Sequence, residues 1–209
     1  MTGTSATLQA ADTIIDQSST DSDVLNLTLT AQNNAARISG IENINVNWDA
    51  FGDAGFDATN VTGATVTLSS AKVGYLGNAT VTAAGANTIV AGSGMKGNLT
   101  VNGVTASTVD AGVAKTVTVA GSAATTDSVT VTAGAETTTV TVAASVETAN
   151  VTAGAKTTAV TTNAVTATID ATAAAKDAAI TVNGTDTTHN TMFHITIRSI
   201  CTCRATRPP

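Results

Sequence analysis

The chain has 209 residues, of which 11% are charged and 2% aromatic, and its formal net charge is −6. That length bounds it to one domain or one elongated array. The acidic balance, with no basic stripe to neutralise phosphates, excludes nucleic acid as partner. No apolar run of about 18 residues is present, so no membrane insertion is expected.

Hydrophobic residues make up 43% of the chain, and most are Ala and Val. A compact core of Leu and Phe is not available. The interior must be thin and built from small or β-branched side chains, which suits a narrow β-structure better than a helix bundle. Low charge, almost no Pro and a positive mean hydropathy oppose a disordered chain.

Residues 1–63 form an acidic segment read as a β-rich cap or linker. They carry most of the Asp, together with Trp48, Phe51 and Phe56. Asp21-Ser-Asp23, with Asp16 nearby, offers hard oxygen ligands and is the candidate metal site, with Ca²⁺ as the cofactor it suits. The plain reading of the same residues is Asp in a turn that opens a strand. Asp49, Asp53 and Asp57 recur every four residues around Phe51 and Phe56, a second and weaker cluster.

Residues 64–190 form a Thr/Val/Ala-rich array. Val131-Thr-Ala-Gly-Ala-Glu136-Thr-Thr returns 20 residues later as Val151-Thr-Ala-Gly-Ala-Lys156-Thr-Thr. Gly77-Asn-Ala-Thr-Val81 returns as Gly97-Asn-Leu-Thr-Val101. Lys72, Lys96, Lys115, Glu136, Lys156 and Lys176 fall at nearly one phase and are read as a structural repeat column. A charge returning about every 20 residues marks stacked structural units.

Alternation of Val with Thr, as in Val129-Thr-Val131 and Val140-Thr-Val142, is a strand signal of period 2 with Val inward and Thr outward. Ala-Gly and Gly-Asn supply the corners. The fold class expected is all-β, a parallel β-solenoid of about 20-residue coils. The alternative is an antiparallel β-sandwich of short strands. Residues 64–183 are expected to give about six coils, a rod of about 29 Å.

Residues 191–209 form an atypical tail, read as non-native or disordered. It holds Cys201 and Cys203, both prolines, His194 and three of the four arginines. Cys201-Thr-Cys203 lacks a second pair, so no zinc site is expected there.

Catalysis finds little support. His189 and His194 flank the tail, and the chain has no Gly-x-Ser-x-Gly, Walker glycine loop or His-Glu-x-x-His. Arg37 is the only arginine before the tail. The expectation is that the protein is not an enzyme. Asn-x-Thr at Asn26, Asn60, Asn78, Asn98, Asn150 and Asn183 is read as Asn turning a corner before a Thr-led strand. Outward threonines also suit an ice-binding face, but that needs Thr-x-Thr in every coil.

Three N-terminal segments carry a resemblance. They are Asp21-Ser-Asp-Val-Leu-Asn-Leu-Thr-Leu-Thr30, Ile38-Ser-Gly-Ile-Glu-Asn-Ile-Asn-Val46 and Phe56-Asp-Ala-Thr-Asn-Val-Thr-Gly63. The series resembles bacterial S-layer proteins and related large repeat-containing surface proteins, type I secreted and RTX-related. The resemblance covers most of residues 8–190 and implies a structural module that self-assembles in a surface array. It implies self-association, or contact with neighbouring domains of a longer protein, as the partner. It also implies an extracellular, cell-surface location, reached without an N-terminal signal peptide because Met1–Ser5 has no basic or apolar leader. The calcium-binding Gly-Gly-x-Gly-x-Asp repeat of that family is absent, so calcium by that mechanism does not carry over. An adhesin or ice-binding solenoid is the alternative function.

Overall fold

The computed structural model describes residues 1–18, 21–33, 35–73, 75, 77–82, 84–122, 127–183, 193–196 and 203–205. Among these there is no helix, and the strands form parallel sheets of ten, eight and three strands. The long sheet stacks Thr2–Thr4, Val24–Leu29, Asn43–Trp48, Thr65–Ser69, Thr88–Ala91, Ala106–Asp110, Ser128–Thr132, Thr148–Thr152, Thr166–Asp170 and Phe193–Thr196. The second stacks Ala54–Asp57, Ala79–Thr82, Asn98–Val104, Thr116–Gly121, Thr139–Val142, Ala159–Thr162, Ala179–Val182 and Cys203–Ala205. Thr13–Ile15, Arg37–Ser39 and Val61–Thr62 make the short third sheet. Strands of the two long sheets alternate along the chain from residue 43 onward, so each coil gives one strand to each. The molecule is a β-solenoid of about nine turns. The pairings are parallel, which sets aside the antiparallel sandwich.

Period-2 patterning places the core. In Val24–Leu29 and Asn43–Trp48 every second side chain is buried, and the same alternation runs through Ser128–Thr132 and Thr139–Val142. Register then sets inward residues directly above one another. One column runs Leu25, Ile44, Val66, Ile89, Val109, Val131, Val151, Ile169. All eight are at most 2% exposed. Slipping one strand by one residue would turn its Val set to solvent and its Thr set inward, which pins the register.

Coil length varies more than the repeat suggested. In that column the steps are 19, 22, 23, 20, 22, 20 and 18 residues. The excess is taken up at corners, while the strands stay in phase.

The corners following the first long sheet are tight. A Cβ on Gly134 would lie 1.9 Å from the Gly112 backbone oxygen, and one on Gly154 would lie 2.3 Å from the Gly134 oxygen. Glycine is needed here for close approach of one coil to the next. Three residues on, the threonine of the same motif turns inward. Thr137 and Thr157 are fully buried. Thr137 Oγ1 accepts from Gly134 N at 3.0 Å and donates to Ala114 O at 2.8 Å. Thr157 Oγ1 accepts from Gly154 N at 3.0 Å and donates to Thr137 O at 3.0 Å. The rule of Val inward and Thr outward therefore holds for most strand positions and reverses at this corner. Within a strand, Thr162 breaks it too: it is fully buried in register with Val142, and its hydroxyl accepts from Ala164 N at 3.2 Å.

Residues 1–63 are β-rich and continuous with the array: Asn43–Asn47 pairs in register with Thr65–Ser69. What changes along the stack is the filling. Leu25, Leu27, Leu29, Ile44, Trp48 and Phe56 fill the first coils, and the later ones rely mostly on Val and Ala with a few larger residues such as Ile89, Met95, Leu99 and Ile169. The tail, 191–209, lies outside the described residues except for Phe193–Thr196 and Cys203–Ala205, whose backbones pair with Ala167–Asp170 and Ile180–Val182. His189 and Cys201 are outside them as well.

Candidate functional site

The third sheet delivers the acidic cluster. Asp16 follows the strand Thr13–Ile15, and Asp21 and Asp23 precede the strand Val24–Leu29. The chain thus turns from the short sheet to the long one with three carboxylates on the bend. Their oxygens lie within 4.8 Å of one another. Among the described residues this is the one group of three or more His, Cys, Asp or Glu side chains so arranged.

Main-chain contacts fix the bend. Asp16 N donates to Ser39 O at 3.1 Å, and Asn43 N donates to Asp23 O at 3.1 Å. Gly40 has φ +73°, and a Cβ there would meet the Asp16 backbone oxygen at 2.2 Å. Asp16 also accepts from Ser18 N at 2.7 Å. Glu42, from the next coil, accepts from Asp23 N at 2.7 Å and brings a fourth negative charge alongside.

The electrostatic consequence falls on Asp23. Its carboxyl is raised above the ordinary 3.8, first by partial desolvation and then by the charges of Asp16, Asp21 and Glu42. A hard divalent cation relieves that repulsion. Ca²⁺ takes six to eight oxygens with flexible geometry, and three carboxylates, mono- or bidentate, supply part of such a shell.

Asp49, Asp53 and Asp57 do not assemble. Asp49 pairs with Lys72 Nζ at 2.9 Å, Asp53 accepts from Asn78 Nδ2 at 3.0 Å, and Asp57 accepts from Thr59 N at 2.9 Å. Each serves a neighbouring side chain or its own turn.

The charged column divides on inspection. Glu136, Lys156 and Lys176 each stand three residues before mutually paired strand positions, Thr139, Ala159 and Ala179. Glu136 and Lys156 form a 2.6 Å salt bridge on the surface. Lys96 stands two residues before Asn98 and Lys115 one before its partner Thr116, so both are displaced from that phase. Lys72 lies over the Phe51 ring at 5.1 Å while paired to Asp49.

A feature that lysine spacing hides is a column of threonines. Thr80, Thr100, Thr118, Thr141, Thr161 and Thr181 are consecutive register partners on the outer side of the second sheet. Aligning the chain on Val-Thr-Val instead of on Lys reveals it. Beside it runs an amide ladder: Asn98 N donates to Asn78 Oδ1 at 3.0 Å, and Thr116 Oγ1 donates to Asn98 Oδ1 at 2.5 Å. Asn45 Nδ2 likewise donates to Asn26 Oδ1 at 2.9 Å on the long sheet. The asparagines of these Asn-x-Thr segments tie coils together.

Comparison with known proteins returns no match: no family model matches the chain, and neither does any curated protein or any solved structure.

Proposed function

We propose that this chain is a structural module of a bacterial cell-surface protein of the S-layer kind, acting in self-assembly of a surface array. The observation that carries this reading is the uninterrupted parallel register of a ten-stranded sheet. Such a stack is stiff along its axis and presents the same chemistry at every coil, which suits a repeating contact. The N-terminal segments that resemble surface-layer proteins supply the cell-surface and extracellular location. Neighbouring copies, or neighbouring domains of a longer protein, are the partners.

In this reading Ca²⁺ at Asp16, Asp21 and Asp23 stiffens the first bend. Negative-stain electron microscopy at rising concentration, with Ca²⁺ or with chelator, tests the function. Ordered sheets or filaments support it, and scattered single particles at every concentration count against it.

A second reading, an ice-binding or adhesin face, is favoured by the threonine column alone. Thermal hysteresis that disappears in Thr118→Leu and Thr141→Leu supports an ice-binding face. The long sheet argues the other way, because Val90, Asp110 and Asp170 interrupt its outward threonines.

A further inference from the structure

The end strand of a parallel stack presents unpaired N–H and C=O groups to any further strand. At the first-coil end of this rod, such groups are taken up from within. Met1 N donates to Val24 O at 2.8 Å, and Asn26 N donates to Met1 O at 2.9 Å. A strand bonds one neighbour through every second residue, so Thr2 and Thr4 direct their backbone groups away from the stack. Thr4 N donates to Thr7 Oγ1 at 2.8 Å, and Thr4 O accepts from Thr7 N at 3.0 Å and from Leu8 N at 2.9 Å. Thr2 is then the one outward residue of the strand Thr2–Thr4 left to a partner, and one residue makes no ladder.

The turn that follows is closed in the same way. Gln9 Nε2 donates to Ser5 O at 3.1 Å and to Ala6 O at 3.3 Å, and Gln9 N donates to Asp12 Oδ2 at 2.7 Å. Leu8 is buried in the core that holds Leu25 and Leu27. This turn stands where later coils carry a strand of the second sheet.

One coil on, a side chain closes the second sheet itself. Ala54 N and Ala58 N donate to Asn78 O and Thr82 O, which turns the backbone groups of Asp57 the other way. Buried Asn33 takes both: Asp57 N donates to Asn33 Oδ1 at 2.7 Å, and Asn33 Nδ2 donates to Asp57 O at 2.9 Å. The same arrangement ends the third sheet inside the rod. There buried Asn87 accepts from Ala64 N at 2.9 Å and donates to Val61 O at 2.9 Å.

We propose that Thr4–Asp12, together with Asn33, is an end stop that closes the first-coil end of the rod to strand addition by a second copy. Side chains there hold the backbone groups on which another coil would pair. Contacts between copies then lie elsewhere on the rod. This goes beyond the self-assembly reading and does not depend on it.

The experiment is sedimentation velocity on the whole chain across a range of concentrations, with circular dichroism confirming that each variant is folded. Wild type is compared with Thr7→Val/Gln9→Leu and with Asn33→Leu, which free the end, and with two controls. Thr7→Ser keeps the hydroxyl, and Asn87→Leu removes the same kind of bonds inside the rod. The two freeing variants are expected to associate at a concentration about tenfold or more below that of wild type, and the controls at the wild-type concentration. Thr7 and Gln9 are exposed, so the double variant decides the matter even where Asn33→Leu fails to fold. A folded Thr7→Val/Gln9→Leu that sediments as wild type does overturns the stop. So does Asn87→Leu associating to the same degree, because lost stability and not an opened end then drives association. An associating wild type that the double variant leaves unchanged overturns the stop and leaves self-assembly standing. A monomeric wild type with associating freeing variants supports the stop and counts against self-assembly.

Discussion

Single residues decide where this chain tolerates change. Gly134 faces the Gly112 backbone oxygen, which cannot move aside as a side-chain tip does, whereas Gly52 has nothing within 4 Å of an added Cβ. Gly134→Ala is expected to cost at least about 2 kcal/mol and Gly52→Ala almost nothing, read as melting temperatures. Asp23 gives a second prediction at this scale. Its raised carboxyl means the folded state holds that proton more tightly than the unfolded chain does. That contribution is fully present below the unfolded value of 3.8 and is lost as pH rises through the folded value. At neutral pH the ionised Asp23 carboxylate therefore weakens the fold. Asp23→Asn is expected to raise the melting temperature at pH 7 without added cation, to flatten its pH dependence, and to shrink the rise produced by Ca²⁺. An unchanged pH profile in the variant removes the argument. Asp170 runs the opposite way: the Thr172 backbone N–H and hydroxyl hold its carboxyl below the ordinary value. Its stabilisation is present above 3.8 and is lost as pH falls through the lowered folded value.

At the scale of the element, the strands were legible and the corners only partly. Val-Thr alternation fixes which face is inward because a period of two has only two phases, and Val131 and Val140 are buried as that alternation requires. The corner motif Ala-Gly-Ala-Glu/Lys-Thr was visible as a repeat. Its threonine, however, lies outside the Val-Thr alternation that separates inward from outward. Nothing in the one-dimensional pattern marks Thr137 or Thr157 as a buried linker, because the acceptors Ala114 O and Thr137 O belong to the preceding coil. Thr157→Val keeps the shape, removes both bonds and strands the Gly154 N–H. A loss of about 1–3 kcal/mol in denaturant unfolding is expected. Loss of the Glu136–Lys156 bridge, with side chains 59% and 58% exposed, is expected to cost about 0–1 kcal/mol and to vanish in high salt. If Glu136→Ala costs more than Thr157→Val, the corner is held by surface charge and not by the buried ladder.

At the scale of the whole molecule, the sequence carried the architecture well and the site unevenly. The 20-residue ruler came from the charged residues, yet the true columns follow the strands, with coil steps of 18 to 25 residues. Lys96 and Lys115 illustrate why: corner residues slip while strand residues cannot without exposing Val. Convergence of Asp16, Asp21 and Asp23 was foreseeable because all three lie within eight consecutive positions. The part played by Glu42 was not, since it arrives one coil later through the stack. These features together describe a rod with like chemistry stacked along each face.

The most direct test of that description is sedimentation equilibrium of the purified chain over a wide concentration range, with and without Ca²⁺. The account predicts a mean mass that climbs with concentration toward open-ended oligomers. A mass that stays at that of one chain across the whole range, in both conditions, contradicts it.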